Sequence, residues 1–358
     1  MKTNHNNFIR LAFNTAQINL GKTKLNPSVG CIIVKNNTVI SSGVTSINGR
    51  PHAEFNALNQ NKNFNNSTMY VTLEPCTHYG LTPPCTNLIK KKNVKEVFYT
   101  FDDVDNRTSR KLKRVLTKRK IVVKKINYKK ANDFYESYFH LLKSDLPFMD
   151  AKIAISKDYF TINKKERWIT NSLSRKRGHL IRSQYDAIMS TSQTINKDNS
   201  ILNCRLEGLN NHKPDLIIID RNLKTKINLN VFNRKLNRKI FIVTSVFKNK
   251  KIKHLQKKGI KFIYIRSLNS KSDFLSMIRI LKKNNINRIL VETGLIFLNS
   301  IIKSNIISNL YVFMSNRKLG KKGYNNASVK LIKKKKLTNK IRVNLNSDLL
   351  YKLKLKNV

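Results

Sequence analysis

The chain has 358 residues, enough for two domains of ordinary size, and 71 Lys and Arg against 20 Asp and Glu give it a formal charge of +51. That charge is dispersed, from Lys90-Lys91-Lys92 through Lys248–Lys253, without aromatic interleaving, so it reads as the drift of very AT-rich coding DNA and predicts no specific nucleic-acid partner, only salt-sensitive adhesion. No apolar run nears the ~20 residues that cross a bilayer, Phe8–Phe13 is too short a signal-peptide core, and Cys31, Cys76, Cys85 and Cys204 are too few for a disulfide framework, which predicts a cytoplasmic protein with no membrane contact.

In chain order, Phe8, Leu11, Ala12 and Ala16 recur near the 3.6-residue period and predict a helix from Phe8 to Leu20, stopped by Gly21. Cys31–Val34 and Val39–Ser42 predict strands around an Asn36-Asn37 hairpin turn. A helix from His52 to Leu58, a buried strand Met69–Leu73 and a helix from Cys85 to Lys92 follow. Strand Val97–Thr100, a helix near Ser109–Leu116, strand Ile121–Val123 and helix Ala131–Leu142 complete an alternating α/β unit.

Leu146-Pro147 is the expected boundary, dividing the chain into domains 1–146 and 147–358. Beyond it, strands at Phe148–Ile155, Asp186–Met189, Leu216–Ile219, Ile240–Thr244, Lys261–Ile265, Arg288–Val291 and Leu310–Met314, with a helix at Asp273–Leu281, predict a second α/β sheet. It lacks a Gly-x-Gly-x-x-Gly fingerprint. Val291-Glu292-Thr293-Gly294 sits at a strand end leading into a helix, where such a sheet binds phosphate or cofactor; a simple glycine turn fits those four residues equally well.

Chemistry concentrates between Pro51 and Cys85. His52, Cys76 and Cys85 offer one imidazole and two thiols, a ligand set for zinc that leaves a fourth position open, as catalytic sites require. Glu54 lies beside His52, placed to handle the proton of a bound water. His-x-Glu followed by Pro-Cys and a second Cys is the signature of zinc-dependent base deaminases, in which the metal lowers the pKa of its water and the glutamate carries protons. Eight residues separate the two cysteines, so the intervening loop forms a longer wall, on which His78 is a candidate substrate contact.

Pro51-His52-Ala53-Glu54 together with Pro75-Cys76-Thr77-His78-Tyr79-Gly80-Leu81-Thr82-Pro83-Pro84-Cys85 resembles the deaminase half of the bifunctional riboflavin-biosynthesis deaminase–reductases, and Asn26-Pro27-Ser28-Val29-Gly30-Cys31 resembles their substrate-side loop. More weakly, the resemblance runs through Lys152-Ile153-Ala154-Ile155-Ser156, Trp168-Ile169-Thr170 and Val291-Glu292-Thr293-Gly294. It implies a cytidine-deaminase-like three-layer domain followed by a dihydrofolate-reductase-like α/β domain that uses NADPH. By the same resemblance Ala154, Trp168, Thr194, Asp198, Gly294, Leu295 and Ile296 line the cofactor. Arg182, Leu202, Arg205 and Glu292 face a small phosphorylated pyrimidine substrate. A homo-oligomer is compatible with the sequence.

The chain departs from the family in several places. Thr45 replaces a histidine, and Asp102-Asp103-Val104-Asp105-Asn106 replaces an Asp-Pro-Asn-Pro turn. Ser156-Lys157-Asp158-Tyr159-Phe160 lacks a Gly-Arg, Arg221 stands where a small residue after Asp220 is usual, and Leu295 replaces a small residue or proline. The last three predict a looser hold on NADPH. The rival readings are a deaminase whose reductase half has decayed, and a deaminase of RNA bases.

Overall fold

Gly30–Lys35 (β1) turns back through Asn36 and Asn37, whose φ angles of 50° and 59° place both in the left-handed region that a tight hairpin requires, into Thr38–Val44 (β2). With Thr68–Val71 (β3), Glu96–Tyr99 (β4) and Val122–Lys125 (β5), they form a sheet of order β2-β1-β3-β4-β5. β1 is antiparallel to both neighbours; β3, β4 and β5 run parallel. The structure is a computed structural model describing residues 4–209, 213–233, 236–335 and 337–355, and it divides into two units, Met1–Lys143 and Ser144–Val358.

Two glycines decide how closely helices cover the first sheet. The helix His5–Ala16 buries Ile9, Ala12, Phe13 and Ala16, and a Cβ on Gly30 would lie 1.9 Å from the Ala12 carbonyl oxygen. The short helix Ala53–Leu58 lies against β2 because a Cβ on Gly43 would sit 2.3 Å from the Ala53 oxygen. Gly43 thereby sets the height of the His52–Glu54 turn over the sheet. The first helix begins at His5 and passes at Ala16 into a 3-10 turn, Gln17–Asn19, short of the expected Leu20. The helix expected near Ser109 starts only at Leu112, because Glu74 takes the N–H groups of Asp103, Arg110 and Leu112 and fixes the preceding segment as a loop.

The second unit contains Phe148–Ile155 (β6), Ile162–Asn163 (β7), Ala187–Thr191 (β8), Asp215–Ile219 (β9), Ile240–Thr244 (β10), Lys261–Tyr264 (β11), Arg288–Glu292 (β12), Asn309–Met314 (β13), Gly323–Tyr324 (β14) and Leu349–Lys354 (β15). The main sheet has the order β11-β10-β9-β8-β12-β6-β13-β15, with β7 and β14 pairing separately. All its strands run parallel except β15, which is antiparallel to β13. Alternate residues enter different cores: Ala187, Ile217 and Phe241 on one face, Ile188, Leu216 and Ile242 on the other. Both faces are covered, as a parallel sheet requires, and the open chemistry is confined to the carboxyl ends of the strands.

Candidate active sites

In the first unit, His52 has extended backbone and caps the helix Ala53–Leu58, so its ring leaves the helix while Glu54 occupies the first turn. Cys76 follows β3 on the long loop, and Cys85 is the first residue of the helix Cys85–Lys91. Their donor atoms converge: Nδ1 of His52 is 3.6 Å from Cys76 Sγ and 3.4 Å from Cys85 Sγ, and all three ligand atoms lie within 4.8 Å of one another. Bonds of about 2.0–2.3 Å at tetrahedral angles separate nitrogen and sulfur ligands of one zinc by about 3.6 Å, so the triad is already spaced for the ion.

The electrostatics fit a dication as well. The hydrogen bond from Cys85, with help from His52, holds the Cys76 thiol down to about 4, while sharing that hydrogen and burial push Cys85 well up. Two facing thiols thus share one proton, and zinc, which binds both as thiolates, removes the conflict. Burial pushes the carboxyl of Glu54 up to about 7, the range in which a carboxyl both takes and gives protons near neutrality.

A cavity of about 100 Å³ adjoins the triad and is lined among others by Asn26, Arg50, His78, Asp103 and Tyr138. His78 Nδ1 lies 2.8 Å from Thr108 Oγ1, and Arg50 Nη1 donates to Thr82 Oγ1 at 2.7 Å, tying the loop between the cysteines to the approach of the His52 helix. Asp103 accepts from Tyr138 Oη at 3.2 Å. Thr45, the residue in the histidine position, accepts from Val29 N–H at 2.9 Å and pins the Asn26–Val29 loop.

In the second unit, a cavity of about 1360 Å³ runs along the carboxyl ends of the strands, and Ala154, Trp168, Thr194, Asp198, Gly294, Leu295, Ile296, Arg182, Leu202, Arg205 and Glu292 all line it. Arg182 donates from Nε to Glu292 Oε1 at 2.5 Å and from Nη2 to Oε2 at 2.9 Å. Lys152 Nζ lies 3.6 Å from Glu292 Oε2, because β6 and β12 pair with these two residues in register. Burial alone would raise the Glu292 carboxyl, but Arg182 and Lys152 overcome it and hold it at about 2. Burial also pushes the Lys152 ammonium below the usual lysine range, partly offset by Glu292.

The guanidinium groups of Arg167 and Arg175 each lie over the Trp168 ring, 4.9 Å from a ring centroid. Gly294 caps the helix Leu295–Lys303, and the Thr194 hydroxyl lies 3.9 Å from where a Cβ on Gly294 would stand. The side chain of Leu295 is wholly buried in the core while the residue still edges the cavity.

Reading the sequence named Lys152 only within a motif and Asp103 only within a departure from the family turn, gave neither a role, and did not single out Arg50 or His179. His179 lies beside Arg182 and Arg205 with Nδ1 2.8 Å from the Asn203 carbonyl, and burial followed by those two charges lowers it to about 4. The signal for Lys152 was a period of two: it shares a strand face with Ala154 and interrupts an apolar strand.

Folds and sites together define a class: a chain that joins a hydrolytic zinc deaminase to a pyridine-nucleotide reductase. Residues 2–101 match the cytidine and deoxycytidylate deaminase zinc-binding region, and residues 147–349 match the RibD C-terminal domain. The chain is 31% identical over 315 residues to riboflavin biosynthesis protein RibD of Buchnera aphidicola subsp. Baizongia pistaciae, covering 83% of each. It is 30% identical over 318 residues to RibD of Aquifex aeolicus, covering 88% of this chain and 87% of that one. The solved diaminohydroxyphosphoribosylaminopyrimidine deaminase/5-amino-6-(5-phosphoribosylamino)uracil reductase of Thermotoga maritima aligns over 98% of both chains with a TM-score of 0.79 and 26% identity. The chain belongs to the RibD family, the bifunctional deaminase–reductases of riboflavin biosynthesis, whose cofactors are zinc and NADPH.

Proposed function

We propose that residues 1–146 hydrolyse the 2-amino group of 2,5-diamino-6-(5-phosphoribosylamino)pyrimidin-4-one and that residues 147–358 reduce the ribosyl chain of the product to ribityl. His52, Cys76 and Cys85 hold zinc, which when bound supplies a water acidic enough to ionise near neutrality. Glu54 accepts a proton from the attacking water and passes it to the ring nitrogen. It then carries a second proton, released from the hydroxyl of the tetrahedral adduct, to the departing amine so that it leaves as ammonia. Asp103, Asn26 and His78 surround the base as polar wall.

In the second domain NADPH, when bound, supplies the hydride. Gly294 and Ile296 with Thr194 and Asp198 hold the dinucleotide, and Ala154 and Trp168 flank it. Arg182, Leu202 and Arg205 position the phosphorylated substrate. Lys152, softened by burial and kept charged by Glu292, donates the proton that accompanies the hydride.

The observation that carries this reading is the Lys152–Glu292–Arg182 cluster at the floor of a cavity lined by the whole resemblance-implied set. A scaffold has no use for two cations and a carboxylate under a cavity of that size. No helix among the described residues is long and apolar enough to cross a membrane, and the reading places the enzyme in the cytoplasm, acting on a small molecule. The test is a product assay on the pure protein with and without NADPH. Deaminated product alone without NADPH, and ribityl product with it, is the expected result. Deamination without any NADPH consumption makes the second domain a scaffold, and deamination of an RNA base at physiological salt replaces the substrate.

A further inference from the structure

Arg221, read by bulk alone, counts against a cofactor, yet its placement points the other way. It follows β9 and Asp220 at the carboxyl edge of the sheet, two strands from β12, and lines the far end of the 1360 Å³ cavity. Its carbonyl accepts from Ser245 N–H and Thr244 Oγ1, both at 2.9 Å, which fixes the backbone to the end of β10. Its guanidinium is turned along the rim, where Nη1 donates to the amide oxygen of Asn269 at 2.8 Å.

The charges around it are unevenly committed. Arg182 and Lys152 are held by Glu292. Arg221 takes part in none of the ion pairs among the described residues. Asp220, its neighbour in the chain, is buried and accepts from Lys224 N–H, Thr225 N–H and Thr225 Oγ1 at 2.7, 2.8 and 2.6 Å, and Asp273, across Asn269, is taken up by Ser267 Oγ and the N–H groups of Asn269 and Ser270. That geometry matters for cofactor choice. In nucleotide-binding α/β sheets an acid at a strand end accepts from the free 2′-hydroxyl of NAD, whereas an arginine there receives the 2′-phosphate of NADP. Here the acid is buried and its oxygens are taken by three donors, and the next residue offers a guanidinium whose one hydrogen bond is to a neutral amide and which enters no ion pair among the described residues. Phe297 and Leu268 line the same cavity and are apolar surface on which an adenine can rest.

We propose that Arg221 is the residue that selects NADPH over NADH, by a charge-assisted pair of hydrogen bonds to the phosphomonoester on the adenosine ribose. This rests on the second unit being a pyridine-nucleotide reductase. The measurement is calorimetric binding of NADPH, NADH and 2′,5′-ADP to the full chain, for the wild type, Arg221→Ser and Arg221→Lys. Arg221→Ser is expected to weaken NADPH and 2′,5′-ADP by about ten- to a hundredfold while NADH stays within about twofold, which also reports that the variant is folded. Arg221→Lys should fall between, since a lysine keeps the charge and loses the fork. Unchanged NADPH binding in Arg221→Ser, equal losses for both dinucleotides, or a wild type that does not distinguish them overturns the inference and leaves the reductase reading standing. A wild type that binds neither dinucleotide overturns both.

Discussion

Replacing Glu292 by Gln keeps the shape of the Lys152–Glu292–Arg182 cluster and removes its negative charge. Arg182 and Lys152 then face each other across a site where the Arg182 and Glu292 side chains are 14% and 9% exposed. One of the two Arg182 hydrogen bonds, 2.5 and 2.9 Å long, meets an amide N–H instead of an oxygen. Holding a carboxyl at about 2 instead of its ordinary 4.5 corresponds to about 3 kcal/mol. Breaking one partner out of a buried pair costs about 3–5 kcal/mol by a separate route, so both arguments give a loss near 3 kcal/mol. The single tryptophan, Trp168, belongs to this unit, so urea unfolding followed by its fluorescence reads the reductase unit. Because the folded pKa of Glu292 is depressed, its contribution is complete above about pH 4.5 and disappears as the pH falls to about 2. The gap between wild type and Glu292→Gln should therefore be constant from pH 5 to 8 and close towards pH 2. The double variant with Arg182→Met should lose less than the sum of the single variants. A loss below about 1 kcal/mol at pH 7, or a gap that does not narrow in acid, refutes the electrostatic account of the cluster.

Cys85→Ser should lose its zinc, whereas Glu54→Gln should keep it by metal analysis and lose deamination by about 10²–10⁴-fold; full activity in Glu54→Gln ends the proton-transfer role. Lys152→Met should still bind NADPH by calorimetry yet reduce the deaminated intermediate at least ~100-fold more slowly, and an unchanged rate assigns the proton to another group. Binding to mixed RNA should be sequence-blind and vanish between about 50 and 200 mM salt in a filter assay; affinity that survives physiological salt revives the RNA-base reading.

The deaminase centre was legible in the sequence because its chemistry prescribes residue types. Zinc ligands come from a short list of side chains, and an imidazole and two thiols stand at 52, 76 and 85 with a carboxyl at 54, in the order that deaminase chemistry calls for. Strands were legible for a similar reason: β10 is an apolar run between Lys239 and Ser245, β6 starts after Pro147 and is apolar but for Asp150 and Lys152, and their ends fall at Phe148, Ile155, Ile240 and Thr244 as expected. The helix Ser172–Arg182 was not, since only Ser174, Gly178 and Ile181 are buried and no apolar stripe of period 3.6 exists to be read. β15 was hidden too, because its buried residues, Leu350 and Leu353, are three apart and break the alternation of a strand. Lys152 illustrates the harder case. In a chain with 71 Lys and Arg, the period of two that puts Lys152 on the face of Ala154 is a faint signal, and its partner Glu292 emerges only with the β6–β12 register.

The same reasoning, run from the acids, explains how so basic a chain keeps specific sites. Glu54, Glu74, Glu136, Asp150, Asp220, Glu292 and Asp348 are at most 8% exposed, while Arg288 is the one Lys or Arg so far buried as a whole residue among the described residues. Solvent therefore meets a surface more positive than the formal +51 suggests. Five of them, Glu74, Asp150, Asp220, Glu292 and Asp348, are committed to donors. Glu74 gathers three backbone N–H groups, Asp220 two, and Asp348 accepts from Asn171 N–H and Ser174 Oγ at 2.9 and 2.7 Å. A lysine at any of these positions would orphan those donors and bury a second cation, a loss of several kcal/mol against the near-zero cost of a lysine on the exposed face of a helix. Compositional drift towards lysine thus meets a steep free-energy wall at the interior acids and almost none outside. The two active centres lie on the protected side of that wall, since Glu54 and Glu292 are among the acids it holds.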